Sequence, residues 1–180
     1  MFARVFSFPN PVDEVAARLV AGGVLCMALL AVVTQGRWLL LVIAYGFVAR
    51  VLTGPTLSPL GQLVTRVIVP RLSVAPRYVA GPPKRFAQAC GVGLSGAAVT
   101  LAFGFNHNGL AFALIGVLAI FAALESLLAF CVGCKIFGLL MAIHVIPPSV
   151  CAECADIWSR PSLRASALRG GAPTDSTPRP

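Results

Sequence analysis

The chain has 180 residues, of which 58% are hydrophobic and 11% charged, with a mean hydropathy of +0.88. A soluble domain carries roughly 25% charged residues to cover its surface, so this composition excludes the soluble globular class and leaves room for one membrane domain and a tail. The net charge of +8 does not indicate nucleic acid, because no basic segment is joined to a stacking or groove-reading motif.

A bilayer core takes roughly 20 apolar residues of helix. Asn10 and Pro11, followed by Asp13 and Glu14, place a capping residue, a helix-starting proline and carboxylates where helix amides favour them. The first crossing is expected over residues 15–33. It begins late, follows two carboxylates and lacks a small-x-small cleavage site, so it does not read as a cleaved signal peptide. Thr34–Arg37 turns the chain into a second, shorter crossing at 38–52.

Ser58-Pro59 predicts another helix start. Residues 59–69 put Leu60, Leu63, Val64, Val67 and Ile68 on one face before Pro70, which fits a helix lying on the membrane surface. Gly81-Pro82-Pro83 breaks the chain ahead of a third crossing at 86–105, and Asn106–Asn108 turns it into a fourth at 110–130. GVGLSG (Gly91–Gly96) lies inside the third crossing. There it serves close helix packing and self-association, and it is no nucleotide loop, which needs a preceding strand. A fifth apolar run, Ile136–Ile146, is too short to span and reads as interfacial or re-entrant. Residues 155–180, rich in Ser, Pro and Arg, predict a disordered cytoplasmic tail.

The expected fold is therefore an all-α membrane protein over residues 1–154. Its four transmembrane helices form two antiparallel hairpins, with an interfacial helix in the middle loop and a short fifth apolar helix between two CxxC pairs. Thirteen of the fourteen Lys and Arg residues fall on the side of the termini and middle loop, against Arg37 on the other. The positive-inside rule then places both termini in the cytoplasm.

Cys26 and Cys90 sit inside crossings, where isolated cysteines pack as small apolar side chains. The other four read Cys131-Val-Gly-Cys134 and Cys151-Ala-Glu-Cys154. Two chemistries need this pattern. Four thiolates as two CxxC turns make a tetrahedral zinc site at an accepted spacing. Equally, each CxxC is a dithiol that cycles to a disulfide, with Lys135 and a helix start near Cys134 favouring the thiolate. A reducing cytoplasm disfavours permanent disulfides.

Glu125 lies six residues before Cys131, roughly 9 Å along a helix. A carboxylate at that depth is costly and marks a site by default. Arg18 and Arg50, at the same ends of their helices, are the expected pairing partners. His107 and His144 read as interfacial, with His144 within reach of the cysteines.

FPNPVDE (Phe8–Glu14), GPTLSPLGQL (Gly54–Leu63), GPPKRFAQACG (Gly81–Gly91), LES (Leu124–Ser126), CVGC (Cys131–Cys134) and CAEC (Cys151–Cys154) together resemble a bacterial integral membrane family, that of domain of unknown function 4395. The resemblance spans Phe8 to Cys154 and implies a bacterial plasma membrane. Its members keep company with thioredoxin-like and sulfurtransferase proteins, which implies a soluble partner of that kind and thiol or sulfur chemistry. The leading expectation is a cytoplasm-facing four-cysteine cluster for redox or sulfur handling. The alternatives are a structural zinc site in a membrane scaffold without catalysis, and a transporter of a thiophilic metal or sulfur species, which at four crossings implies a homo-oligomer.

Overall fold

The computed structural model describes residues 11–72, 77–147 and 150–151. Pro11 does not open the first helix. Val12–Asp13 (β1) are extended and pair antiparallel with Tyr78–Val79 (β2), Val12 opposite Val79. Helicity begins one residue later, with the Asp13 carboxylate accepting from the Val15 N–H at 2.9 Å. Asp13 is thus the cap, and Asn10 lies outside the described residues.

Helix α1 spans Glu14–Thr34 and ends at Gln35, which takes the left-handed conformation at φ 53. Helix α2 spans Arg37–Thr53. Helix α3, Pro59–Leu63, is capped as expected by Ser58 Oγ, which accepts from the Gly61 N–H at 3.2 Å. It continues through a π turn at Val64–Ile68 and a 3₁₀ turn at Val69–Arg71. The wide π turn breaks the three-and-four spacing of the predicted face. Val64 is buried against Ala16 and Val20, while Leu63 and Val67 turn outward.

Helix α4 starts at Gly81 and not at Phe86. Pro82 and Pro83 occupy its first turn, where a missing N–H costs nothing, so the expected breaker is the helix start. It runs to Val99 and through a π turn at Thr100–Gly104. Helix α5 spans Asn108–Leu128 and ends at left-handed Ala129. Helix α6, Val132–Ala142, opens on Cys131.

Among the described residues, three helices are long and apolar enough to cross a membrane: α1, α4 with its π turn, and α5. Helix α2 has 17 residues, about 25 Å of rise against a hydrocarbon core of about 30 Å.

The principal contacts run between the two hairpins, α1 on α5 and α2 on α4, with α6 laid on α4. Alanines fill much of the shared core: Ala28, Ala31, Ala98, Ala102, Ala111, Ala119 and Ala122, around Leu40, Ile43, Phe47 and Ile115. Small residues let helix backbones approach closely. The larger apolar side chains point away from the bundle; Leu29, Leu30, Val33, Trp38, Ile120, Leu127 and Leu128 are each at least half exposed. At one end, the Arg37 guanidinium donates to the Ala102 carbonyl and to Asn106 Oδ1 and stands 4.9 Å over the Phe103 ring, tying the start of α2 to the end of α4.

Within GVGLSG, Gly91 makes the close approach. A Cβ there would lie 2.2 Å from the Phe47 ring, whereas Gly93 and Gly96 meet nothing within 4 Å. Gly91→Ala is expected to cost about 1–3 kcal/mol through overpacking, measured by reversible unfolding in mixed detergent. The loss should shrink in a Phe47→Leu background; an equal loss in both backgrounds would place the strain elsewhere.

Candidate functional site: a dithiol beside a buried ion pair

The site grows from one face of α4. Lys84, Gly91, Ser95, Ala98 and Ala102 are buried and recur at helical spacing, which turns them to the same side. Lys84 is therefore carried into the bundle, and its Nζ lies 2.6 Å from Glu125 Oε1, with the two side chains only 11% and 16% exposed. An isolated charge here would carry a large desolvation penalty, which pairing offsets.

The arginines expected to pair with Glu125 make other contacts. Arg18 Nε and Nη2 donate to the Ser126 carbonyl at 3.2 and 3.0 Å, and Nη2 also to that of Leu127 at 3.3 Å. It thus caps the exposed carbonyl end of α5, where a cation is favoured. Arg50 is 5% exposed. Its Nε donates to Gln88 Oε1 at 2.9 Å and its Nη1 to Ser58 Oγ at 3.3 Å, with the guanidinium 4.5 Å over the Phe47 ring. Among the described residues no carboxylate lies in ion-pair contact with it.

Cys131 is the N-cap of α6 and its Sγ accepts from the Cys134 N–H at 3.4 Å. The two Sγ atoms are 2.7 Å apart. The Cys134 hydrogen bond holds the Cys131 thiol below its ordinary pKa; burial and the Glu125 carboxylate oppose this and the Lys84 ammonium assists it. Cys134, as the donor in that bond and also buried, is pushed well above the ordinary thiol range. Cys131 Sγ accepts from both the backbone N–H and the thiol of Cys134, which favours it as the thiolate of the two. The assisting cation is Lys84; the expected one, Lys135, stands 5.7 Å from the Phe130 ring instead.

Gly133, between the two cysteines, sets their position. A Cβ at Gly133 would sit 2.6 Å from Ala87 Cα, so the first turn of α6 rests directly on α4, and the Phe86 and Phe137 rings meet at 5.7 Å beside it. Below this contact lies a small cavity of about 80 Å³, walled by Phe47, Arg50, Gln88, Cys90, Glu125, Val132 and Gly133 among others.

The remaining candidates lie elsewhere. Cys90 borders the cavity, whereas Cys26 is exposed on the outside of the bundle and is not the core packer expected. Cys151 is buried and disulfide-bonded, its partner lying outside the described residues, as does Cys154. His144 is exposed at φ 60 past the far end of α6, and His107 is exposed ahead of α5. Among the described residues no three His, Cys, Asp or Glu side chains converge as a metal-binding group.

Sequence reasoning missed Lys84 and Gln88. The signal was present: Lys84, Gln88, Gly91 and Ser95 form one polar and small stripe at spacings of four and three. Reading Pro82-Pro83 as a breaker detached Lys84 from it.

The chain belongs to the family described as domain of unknown function DUF4395, whose model matches residues 12–142. That span includes Arg50, Lys84, Gln88, Glu125, Cys131 and Cys134, and stops short of Cys151 and Cys154. No curated protein and no solved structure matches the chain.

Lys84→Met leaves Glu125 buried without its partner and is expected to destabilise the bundle by about 3–5 kcal/mol, while Lys84→Met with Glu125→Leu recovers most of the loss. Detergent unfolding of the two variants beside the parent checks this; a single variant as stable as the parent would contradict it.

Proposed function

We propose that this DUF4395 chain is a multi-pass membrane protein of the bacterial plasma membrane in which Cys131 and Cys134 carry out thiol–disulfide exchange with a soluble thioredoxin-like or sulfurtransferase partner. Helices α1, α2, α4 and α5 cross the bilayer, with both termini and the dithiol at the cytoplasmic face. The support for the setting is a bundle with alanine inside and Leu, Val, Ile and Trp outside, together with the distribution of Lys and Arg. Helix α2 is short for a crossing, a mismatch of the size that local thinning of the bilayer accommodates.

The observation that carries the chemistry is the sulfur pair at the start of α6, in which Cys131 Sγ accepts from both the N–H and the thiol of Cys134. In the forward step the Cys131 thiolate attacks a partner disulfide and the partner's leaving sulfur departs as a thiolate. The Cys134 sulfur then attacks Cys131 Sγ of the mixed disulfide. That closes the Cys131–Cys134 bond, frees the partner's second thiol and passes on the Cys134 proton.

Cys134→Ser should accumulate a mixed disulfide through Cys131, seen as a reductant-sensitive adduct on non-reducing gels, and Cys131→Ser should not. Absence of any adduct, with stoichiometric zinc in the purified protein, would overturn the proposal. The charges on Cys131 give a second check. Lys84 lowers its pKa and Glu125 raises it, so in the Cys134→Ser background Lys84→Met should move the pH profile of iodoacetamide alkylation upward. Glu125→Gln should move it downward. Identical profiles would remove these charges from the thiol's surroundings.

A further inference from the structure

Helix α2 carries a charge that the exchange reaction does not use. Arg50 lies in its last turn and is 5% exposed. Its guanidinium donates through Nε to Gln88 Oε1 at 2.9 Å and through Nη1 to Ser58 Oγ at 3.3 Å, and it stands over the Phe47 ring. Among the described residues its Nη2 makes no hydrogen bond. An arginine offers five N–H donors in a fixed fork, so part of this fork is left over inside the bundle.

The charge is left over as well. Two buried cations, Arg50 and Lys84, stand near one carboxylate, Glu125, and Lys84 holds that carboxylate by direct contact at 2.6 Å. Gln88, Ser58 and Phe47 attract the guanidinium without carrying a net charge. One positive charge therefore remains in an apolar setting, where an uncompensated ion is costly. Beside it is the cavity of about 80 Å³, on whose wall Arg50, Gln88 and Glu125 meet apolar side chains such as Phe47, Leu94 and Leu118. That volume is far below the ~300–1,000 Å³ of organic ligand sites. One water takes roughly 10–15 Å³ of such space, so an ion of halide size and a few waters fit. Neither cysteine of the dithiol lines it.

We infer that the cavity binds one small monovalent anion of halide size, held by Arg50. The anion supplies the missing counter-charge and accepts the guanidinium donors that Gln88 and Ser58 leave unused, in charge-assisted hydrogen bonds. A dianion such as sulfate would reverse the local charge. Water alone would solvate the fork and leave the charge uncancelled. The bound ion also steadies the guanidinium that ties α2 to Ser58, ahead of α3, and to Gln88 on α4. Anion binding and the stability of the bundle are linked in this way.

The test uses the purified full chain in detergent and the line width of the chloride NMR resonance. The protein should broaden that resonance in a saturable way, and bromide, but not sulfate, should reverse the broadening. Gln88→Glu puts a carboxylate where the amide now meets Arg50 Nε and should weaken chloride binding by at least about tenfold. Because that variant can fail to fold, Ser58→Asp supplies the same charge at the Nη1 contact and keeps an N-capping side chain, with the same expected loss. The parent gives a second reading. Replacing chloride by gluconate at constant ionic strength should lower its unfolding temperature, and should not do so in a folded Gln88→Glu protein. Cys131→Ser/Cys134→Ser protein should bind chloride as the parent does, so the site stands or falls apart from the dithiol. No saturable broadening by the parent, reversal by sulfate as readily as by bromide, binding lost with the two thiols, or unchanged binding in a folded Gln88→Glu or Ser58→Asp protein would each overturn the site.

Discussion

A charge inside an apolar bundle is costly unless it is paired or hydrogen-bonded, and Lys84 with Glu125 meets this by direct pairing. The pair joins α4 to α5 near the ends from which the chain enters one and leaves the other. The surrounding arrangement follows from it. For Lys84 to point inward, α4 must already be helical at Gly81, which the two prolines of its first turn permit. With α5 held at Glu125, the chain has room for a left-handed residue at Ala129 and a short link before α6 begins at Cys131. Helix α6 then falls back on α4, where Gly133 presents no side chain to Ala87. The dithiol is placed by this sequence of constraints, and the two charges that hold the helices together also bear on the acidity of Cys131.

The rest of the bundle holds most of its polar groups with few charges, although among the described residues Arg37 Nε and Asn108 Oδ1 are buried without a hydrogen-bond partner. Arg18 caps the carbonyl end of α5, Arg37 joins the far ends of α2 and α4, and Arg50 uses a glutamine, a serine and an aromatic face in place of a carboxylate. Between these layers the contacts are alanine and glycine against larger apolar side chains. There is little water-driven apolar burial to be gained when the exterior is itself apolar, so close van der Waals packing is what holds such helices together. The fit of Phe47 over Gly91 is one instance, and it also forms the wall of the cavity.

Hydropathy alone located the long helices to within a few residues, because an apolar run of that length has few other folds open to it. Helix starts were legible where a side chain caps locally, as at Ser58. They were misjudged where a tertiary contact intervened: the pairing of Val12–Asp13 with Tyr78–Val79 delays α1 until Glu14. The face of α3 was misassigned because a π turn has no signature in a three-and-four pattern. The cysteines were visible by spacing, while the cation that acts on them was sought next to them in the chain, at Lys135.

By itself the sequence determined that the chain is built of apolar helices and placed most of their ends to within a turn. It set the start of α4 five residues late and the short helix α6 four residues late, after the cysteines it contains. The ends it placed depend on local properties, hydropathy and capping, which neighbouring residues carry. Only the tertiary structure decided that α1 lies on α5 and α2 on α4, that Glu125 meets Lys84, and that the dithiol stands over a cavity bearing Arg50. Those outcomes depend on which small residues allow which backbones to touch, and on the cost of burying a charge alone. Both are settled between helices far apart in the chain.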